Sequence, residues 1–429
     1  MRKVLYLVVL VSILLCLGTA SASTNTINVW VGYPELEPFF KWAGVEFAKT
    51  HPGVDVQVFS TSLREFEQKL TTAVSSGTGP EVYEVAGEIA AHLIDAGLIA
   101  ENPKDLDTYL KSGPWSQFAI NFTTINGKSY GIPFMDGSRA ALYYNKKMFK
   151  EAGLDPNKPP KTFDELMQYA RKLTKYDSSG KVVRSGLSLR LSGGGSGLSE
   201  KFRFFLHNYG GDLIVPTKDG KWKNGLDNKA GQDALKFYID ALYKYNIDDP
   251  QVKHDADAFV TENTAMFLRE SWVIGEIKSK NPNLEYGVAP MPGAVRFDID
   301  NQPQSMYISK DGIKSQDVRD FVKFITSEQA ASKLVELSGW VPVRKFDSAP
   351  ITGKVPQYNV FLNPPAGHGS YSDVVIPCFD EIQTKVAEKL SADFLDKKLL
   401  NNPDGIKKAM HDIAELVDSI LKRNNVYGN

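Results

Sequence analysis

Cysteine is almost missing from this chain: two occur in 429 residues, and one of them, Cys16, lies in the first 22. Without that stretch Cys378 has no partner, so no intramolecular disulfide braces the fold and stability has to come from packing. Histidine is nearly as scarce. The six, His51, His92, His207, His254, His368 and His411, are scattered, with no HExxH and no pair at metal-ligand spacing, and solvated or capping roles account for them. Charge of one sign is not in excess either. Against 51 Asp plus Glu stand 50 Lys plus Arg, a balance that implies neither nucleic acid nor an anionic membrane as partner. The run at residues 4–17 is shorter than the ~20 residues of a spanning helix, and no later segment approaches that length without charges. Gly193-Gly194-Gly195 lacks the Lys-Ser/Thr that would make a phosphate loop.

What is present begins with a signal. Residues 1–22 join Arg2 and Lys3 to an apolar run and a small-residue end, Ala20-Ser21-Ala22, the pattern of a cleaved secretory peptide, so a periplasmic or other extracytoplasmic location is expected. Cleavage removes two bases and no acid and moves the formal charge from −1 to −3. Leu14-Leu15-Cys16 resembles a lipoprotein box, but Leu15 stands where such boxes carry a small residue, so lipidation is not the expectation. The length, with 42% hydrophobic residues, exceeds what one core serves, so two lobes are expected, and 11% aromatic content is enough to line a cleft.

The densest punctuation falls in residues 126–173. Asn126-Gly127 tolerates positive φ and predicts a hairpin turn; strands are expected near residues 129–134 and 140–144, a short helix up to Gly153, and a helix capped by Thr162 with Glu165 at capping-box spacing. Upstream, residues 26–30 and the alternating Val54, Val56 and Val58 read as strands, while Phe40, Ala43, Phe47 and then Leu63, Phe66, Leu70, Val74 mark helical stripes, giving strand-helix-strand-helix order. Downstream, Phe202, Phe205, Leu206 and Tyr209 have helical spacing, a strand is read at residues 306–310, and Ile382, Val386, Leu390 and Ile406 to Ile420 mark two late amphipathic helices.

The wording of residues 126–173 is more specific than its pattern. NGK-Y-G-P, LYYNK, F-EAGLD and PP-K-TFDEL resemble the central signature of the extracellular solute-binding proteins of ABC importers, in the sugar-binding branch typified by maltodextrin-binding protein. Further phrases resemble that family in order: GPEVYE at 79–84, with Glu81 where Asp is usual; residues 258–276, where Asn263 replaces a turn glycine and itself tolerates a left-handed conformation; GVAPMPG at 287–293; and GWVPVR at 339–344. The resemblance implies a type II periplasmic-binding-protein fold, two α/β lobes joined by a multi-crossing hinge with the cleft between them. The lobes are expected at 23–138 with 296–340, and at 139–295 with 341–429. Crossings are expected near 136–140, 290–295 and 340–344, with few contacts across the cleft.

Site candidates follow from the resemblance, each beside a plainer reading. Trp272 matches the family's stacking Trp, since an aromatic plane takes the apolar C–H face of a sugar; a core Trp is the alternative. Tyr33 and Glu35 follow the first strand, where an open sheet presents its crevice, and would look the same as solvated loop residues. Glu88 stands where relatives place an acid for sugar hydroxyls, or is a helix-start carboxylate. Asp136 and Arg139, at the first crossing, could serve hydroxyls or form a plain ion pair. Glu200, Phe202 and Arg203 follow the Gly/Ser tract where relatives carry an acid and an aromatic, with Phe202 equally suited to core. Trp340, and Tyr358 with Phe361 and Tyr371, are candidates for stacking from a second wall.

The implied function is capture of a sugar, an oligosaccharide being expected, by lobe closure and delivery to a membrane ABC permease. The chain would act as a monomer, with no cofactor, no metal and no catalytic residue. A polyol phosphate such as glycerol 3-phosphate is the rival ligand, and it would demand clustered bases. A secreted carbohydrate-active enzyme is the rival class: acid pairs such as Asp164-Glu165 and Asp248-Asp249 exist, but no spacing in sequence places two carboxylates across a bond.

Overall fold

The computed structural model describes residues 25–193, 195–252 and 255–428. The expected signal peptide, Gly194 and His254 lie outside the described residues. The elements that position the site begin with β1 (Asn25–Val31), α1 (Glu37–Ala48), β2 (Val54–Ser60), α2 (Leu63–Ser75), β3 (Val82–Ala86) and α3 (Gly87–Asp95). Then come β4 (Gly131–Asp136), β5 (Ala140–Asn145), α4 (Phe163–Leu173), α5 (Gly197–Asn208), β6 (Met266–Glu270) and α6 (Val273–Lys280). The chain continues with β7 (Tyr286–Ala289), β8 (Pro303–Ile308), α7 (Glu328–Ser338), α8 (Phe379–Phe394) and α9 (Pro403–Arg423).

Local chemistry explains these boundaries. Asn126 and Gly127 both take positive φ, 51° and 75°, so the hairpin they turn has the twist its two short strands need. The Thr162 hydroxyl accepts from the Glu165 N–H at 3.1 Å and caps α4, while the Glu165 carboxylate reaches back to the Lys161 N–H at 2.7 Å. Phe66, Leu70 and Val74 of α2 are buried at the spacing that predicts them. The turn before β6 differs from expectation: the left-handed residue is Glu262, φ 58°, one position ahead of Asn263. Glu262 is held there as its carboxylate accepts from Asn145 at 3.2 Å, while the Asn263 amide donates to Thr261.

Two sheets result. The larger runs β2-β1-β3-β8-β4, with β1, β2 and β3 parallel and β8 antiparallel to both of its neighbours. Glu81, just before β3, accepts from the backbone and side-chain nitrogens of Asn28 on β1, at 2.8 and 2.9 Å. The smaller sheet, β6-β5-β7, is antiparallel. Ile27, Phe39, Phe40, Phe134, Met306 and Phe321 share the first core; Leu142, Leu166, Phe205, Tyr238 and Ile413 share the second. Strand β5 is buried on both faces. Leu142 and Tyr144 face the second core, and Ala141 and Tyr143 face a third cluster with Phe259, Phe267, Tyr358 and Phe361, as the two-residue alternation of a strand requires.

The chain passes between the sheets at 137–139, between β7 and β8, and again after α7. Asp136 joins all three passages. Its Oδ1 accepts from the N–H groups of Ser138 (3.2 Å) and Arg139 (3.0 Å) in the first and of Gln302 (3.1 Å) in the second. Its own N–H donates to the Val341 carbonyl in the third, at 2.9 Å. The second oxygen pairs with Arg139 at 3.0 Å, and that guanidinium also donates to the Phe361 carbonyl and to Asn301. Because the carboxylate is 1% exposed, Asp136→Ala should cost about 3–5 kcal/mol, the loss seen when one member of a buried ion pair is removed. Asp136→Asn should recover part of it, since its amide oxygen still accepts. Urea unfolding measures both, and a loss below about 1 kcal/mol for Asp136→Ala would contradict the role given to it.

Candidate functional site

At the carboxyl ends of β1, β2 and β3 the first sheet presents the loop of Tyr33 and Glu35, the first turn of α2 with Arg64 and Glu67, and Glu88 at the start of α3. This is the side on which open parallel sheets bind ligands. The second lobe meets it with the N-terminus of α5, carrying Ser196, Glu200 and Lys201, and with the end of β6, carrying Arg269, Glu270 and then Trp272. Trp340 arrives from the third passage. Its approach needs Gly339, whose φ is 79° and where a Cβ would lie 2.9 Å from the Trp272 Cα. Between the lobes lies a cavity of about 360 Å³, and beyond Arg64 a smaller one of about 40 Å³.

One wall of the larger cavity is aromatic. Tyr33 meets Trp340 edge-on at 4.9 Å, and Trp272 lies 6.4 Å from Trp340. The facing groups are ionic. Glu270 pairs with Lys201 and, at 3.1 Å, with Arg269, and accepts from the Trp272 indole at 3.2 Å; Arg269 lies 5.3 Å over that indole. Arg64 reaches across the cleft. It pairs with Glu67 of its own helix at 2.8 Å and with Glu200 of the other lobe at 2.9 Å, and donates to Ser196 at 2.6 Å.

These neighbours set the charges. Burial alone would push Glu200 up, but Arg64, Lys201, the Ser196 hydroxyl and Arg190 overcome it and bring the carboxyl down to about 2. Burial opposes the charge of Arg64 as well, and Glu200 and Glu67 outweigh it, so its pKa rises. Glu67 is pushed up to about 7 by burial, against the pull of Arg64. Glu88 is pushed to about 8, again by burial, with Asp380, Glu200 and Glu67 adding to it; both its oxygens accept from Gln302, at 3.0 and 3.1 Å. Burial also raises Glu35.

Of the expected site residues, Tyr33, Glu35, Glu200, Trp272 and Trp340 line the larger cavity, and Glu88 lines the smaller. Five lie elsewhere. Asp136 and Arg139 are occupied in joining the passages. Phe202 is fully buried in the second core against Tyr238 and Phe394, which replaces the expected cleft contact with packing. Arg203 is buried on an ion pair with Asp373 and over the Tyr371 ring at 5.4 Å. Tyr358 packs in the third cluster, so neither side chain reaches the cavity. Arg64 spans the cleft through its bonds to Ser196 and Glu200. Arg64, Glu67, Lys201, Arg269 and Glu270 were not foreseen. The first two were within reach of the carboxyl-end rule that pointed to Tyr33, because Arg64 opens the helix that follows β2.

Comparison with known proteins gives a consistent picture. Residues 33–332 match the family model described as bacterial extracellular solute-binding protein. A binding protein of Brucella abortus is 25% identical over 96% of this chain and 97% of its own length. The maltotriose-binding protein of Pyrococcus abyssi is 23% identical over 67% of this chain and 60% of its own. The sn-glycerol-3-phosphate-binding periplasmic protein of Escherichia coli K12 is 26% identical over 68% of each. Among solved structures, an ABC transporter solute-binding protein of Thermotoga lettingae bound to α-D-tagatose superposes with a TM-score of 0.75, 23% identity and coverage of 92% of this chain and 99% of that one. A protein solved with mannotriose bound gives 0.75, 25% identity, and 91% and 99%.

The raised and lowered carboxyls predict a pH profile. Glu67 and Glu88 keep their protons above the ordinary 4.5, so they favour the fold fully below pH 4.5 and that support is lost as pH rises through about 7 and about 8. Glu200 has the opposite sign: its support is present above 4.5 and lost as pH falls towards about 2. The melting temperature should therefore be highest near about pH 5 and decline towards about pH 8, and Glu88→Gln should flatten the alkaline decline. A melting temperature that climbs steadily from pH 5 to 8 would contradict these assignments.

Proposed function

This chain belongs to the bacterial extracellular solute-binding protein family, and from that membership we propose that it captures a carbohydrate between its lobes and hands it to the membrane permease of an ABC importer. The observation that carries the sugar reading is the cavity wall of Tyr33, Trp340 and Trp272 facing Glu35, Lys201, Arg269 and Glu270. A sugar ring has apolar C–H faces and a rim of hydroxyls that both donate and accept, so it asks for an aromatic plane on one side and mixed ionic groups on the other. The maltotriose-binding relative and the neighbour holding mannotriose support the same class. Trp272, Tyr33, Trp340 and Glu35 are the contacts we assign to the ligand.

The ligand leaves unaltered in this reading. A closed cleft gives a ligand contacts with both lobes at once, and this difference in affinity is what shifts the population towards closure about the three passages. The chain works as a monomer outside the cytoplasm. A polyol phosphate is the second reading, supported by the glycerol-3-phosphate-binding relative. It has less in its favour because Arg64, Arg190, Lys201 and Arg269 are matched in number by Glu35, Glu67, Glu200 and Glu270.

Thermal-shift titration against glucose, maltose, maltotriose, mannobiose, mannotriose and glycerol 3-phosphate tests the reading. A bound sugar at 100-fold its dissociation constant should add ~2.7 kcal/mol of stability, and it should be recovered intact after prolonged incubation. Response to glycerol 3-phosphate alone would favour the second reading, and cleaved product in proportion to protein would favour an enzyme. Trp272→Ala should weaken sugar binding at least tenfold while changing ligand-free unfolding much less; a loss of ~3–5 kcal/mol in ligand-free stability would make Trp272 a core residue instead.

A further inference from the structure

The two cavities of the cleft share one wall. Tyr33, Leu63, Arg64, Gly137 and Glu200 line both, so they stand between the larger space and the smaller one beyond it. Most of that wall belongs to single lobes, but Arg64 on α2 and Glu200 on α5 close it from opposite sides. The guanidinium donates to Glu200 at 2.9 Å and to Ser196 at 2.6 Å, and the Ser196 hydroxyl donates to Glu200 at 2.5 Å. We infer that this Arg64–Glu200 clasp is the length gauge of the cleft, limiting useful ligand contacts to a mono- or disaccharide. The inference rests on the sugar reading and narrows it from the oligosaccharide expected at first.

Four physical points support it. The larger cavity, about 360 Å³, lies at the low end of the ~300–1,000 Å³ range of small-molecule sites, which suits one or two rings. The space behind the clasp, about 40 Å³, holds a few water molecules at ~10–15 Å³ each and no sugar ring. A third ring advancing inward would have to part three half-buried hydrogen bonds that are strengthened by charge, and Glu67, on Arg64 at 2.8 Å, holds the guanidinium from behind. Pro34, next to Tyr33 on the lining, is exposed, so the larger cavity opens to solvent there and a ring lying past that edge gains no contact. Length beyond two rings therefore adds nothing to affinity.

Calorimetric titration with two ladders, glucose to maltotetraose and mannose to mannotriose, tests this on the intact mature chain. The expected result for the unaltered protein is an affinity that stops rising at the disaccharide, with the trisaccharide no tighter. Arg64→Ala joins the space its own side chain fills to the small cavity behind it and the larger one in front, and the ratio of trisaccharide to disaccharide affinity should rise at least tenfold. Glu200→Gln keeps the side-chain length but removes the charge that holds Arg64, and should move the ratio the same way by a smaller factor; it carries the test if Arg64→Ala fails to fold, which its melting temperature reports. A trisaccharide bound tenfold or more tighter than the disaccharide by the unaltered protein overturns the gauge and leaves the sugar reading standing. Unchanged ratios in the variants overturn it equally. If no member of either ladder binds, the sugar reading itself falls and the gauge with it.

Discussion

One buried carboxylate carries much of this architecture. Asp136 sits where the chain leaves the larger sheet, and its single Oδ1 gathers N–H groups from two passages while its backbone N–H holds the third. Three segments far apart in sequence therefore share one point. Because an unpaired polar group buried there would be costly, each segment is driven to keep its place. The neighbours of that point are cleft residues: Gly137 and Ser138 lie on the cavity walls, and Gln302 reaches on to Glu88. A site drawn from residues near 33, 64, 88, 200, 270 and 340 can keep its geometry because its supports meet at one carboxylate.

The cleft itself balances its charges in pairs. Arg64 answers Glu67 and Glu200, and Lys201 and Arg269 answer Glu270. With little water to screen them, such pairs hold their side chains in fixed directions. Fixed donors and acceptors beside an aromatic wall suit a neutral, many-hydroxyl ligand better than one carrying a charge of its own, which would leave some pair uncompensated.

What could be read in advance followed the range of each interaction. The Asn126-Gly127 turn, the Thr162 cap and the stripe of α2 depend on neighbours within a few residues, and they stand where the sequence places them. Phe202 carried its own signal, since its spacing to Phe205 and Leu206 already marked a buried helical face. The position of Asp136 at a passage was legible, but its part there was not, because the partners that bury it come from Gln302 and Val341. Arg64 carries no local signal beyond its place just after β2. Its place on the cleft wall arises only when Ser196 and Glu200, 132 and 136 residues further on, come within reach. Glu262 taking the left-handed position instead of Asn263 likewise depended on a distant amide, that of Asn145.

Strand β8 has a consequence for the order of events as the chain is made. It lies between β3 and β4, yet it is encoded after both, at Pro303–Ile308, so the first sheet stays split until more than 300 residues have been synthesised. Pairing at such separation has to wait for a long loop to close, and topologies of this kind fold slowly. By then the strands β5, β6 and β7 of the second sheet have been made, while α8 and α9, which complete the second core, are still to come. Through most of its synthesis the chain therefore lacks the one strand that joins the two parts of its larger sheet.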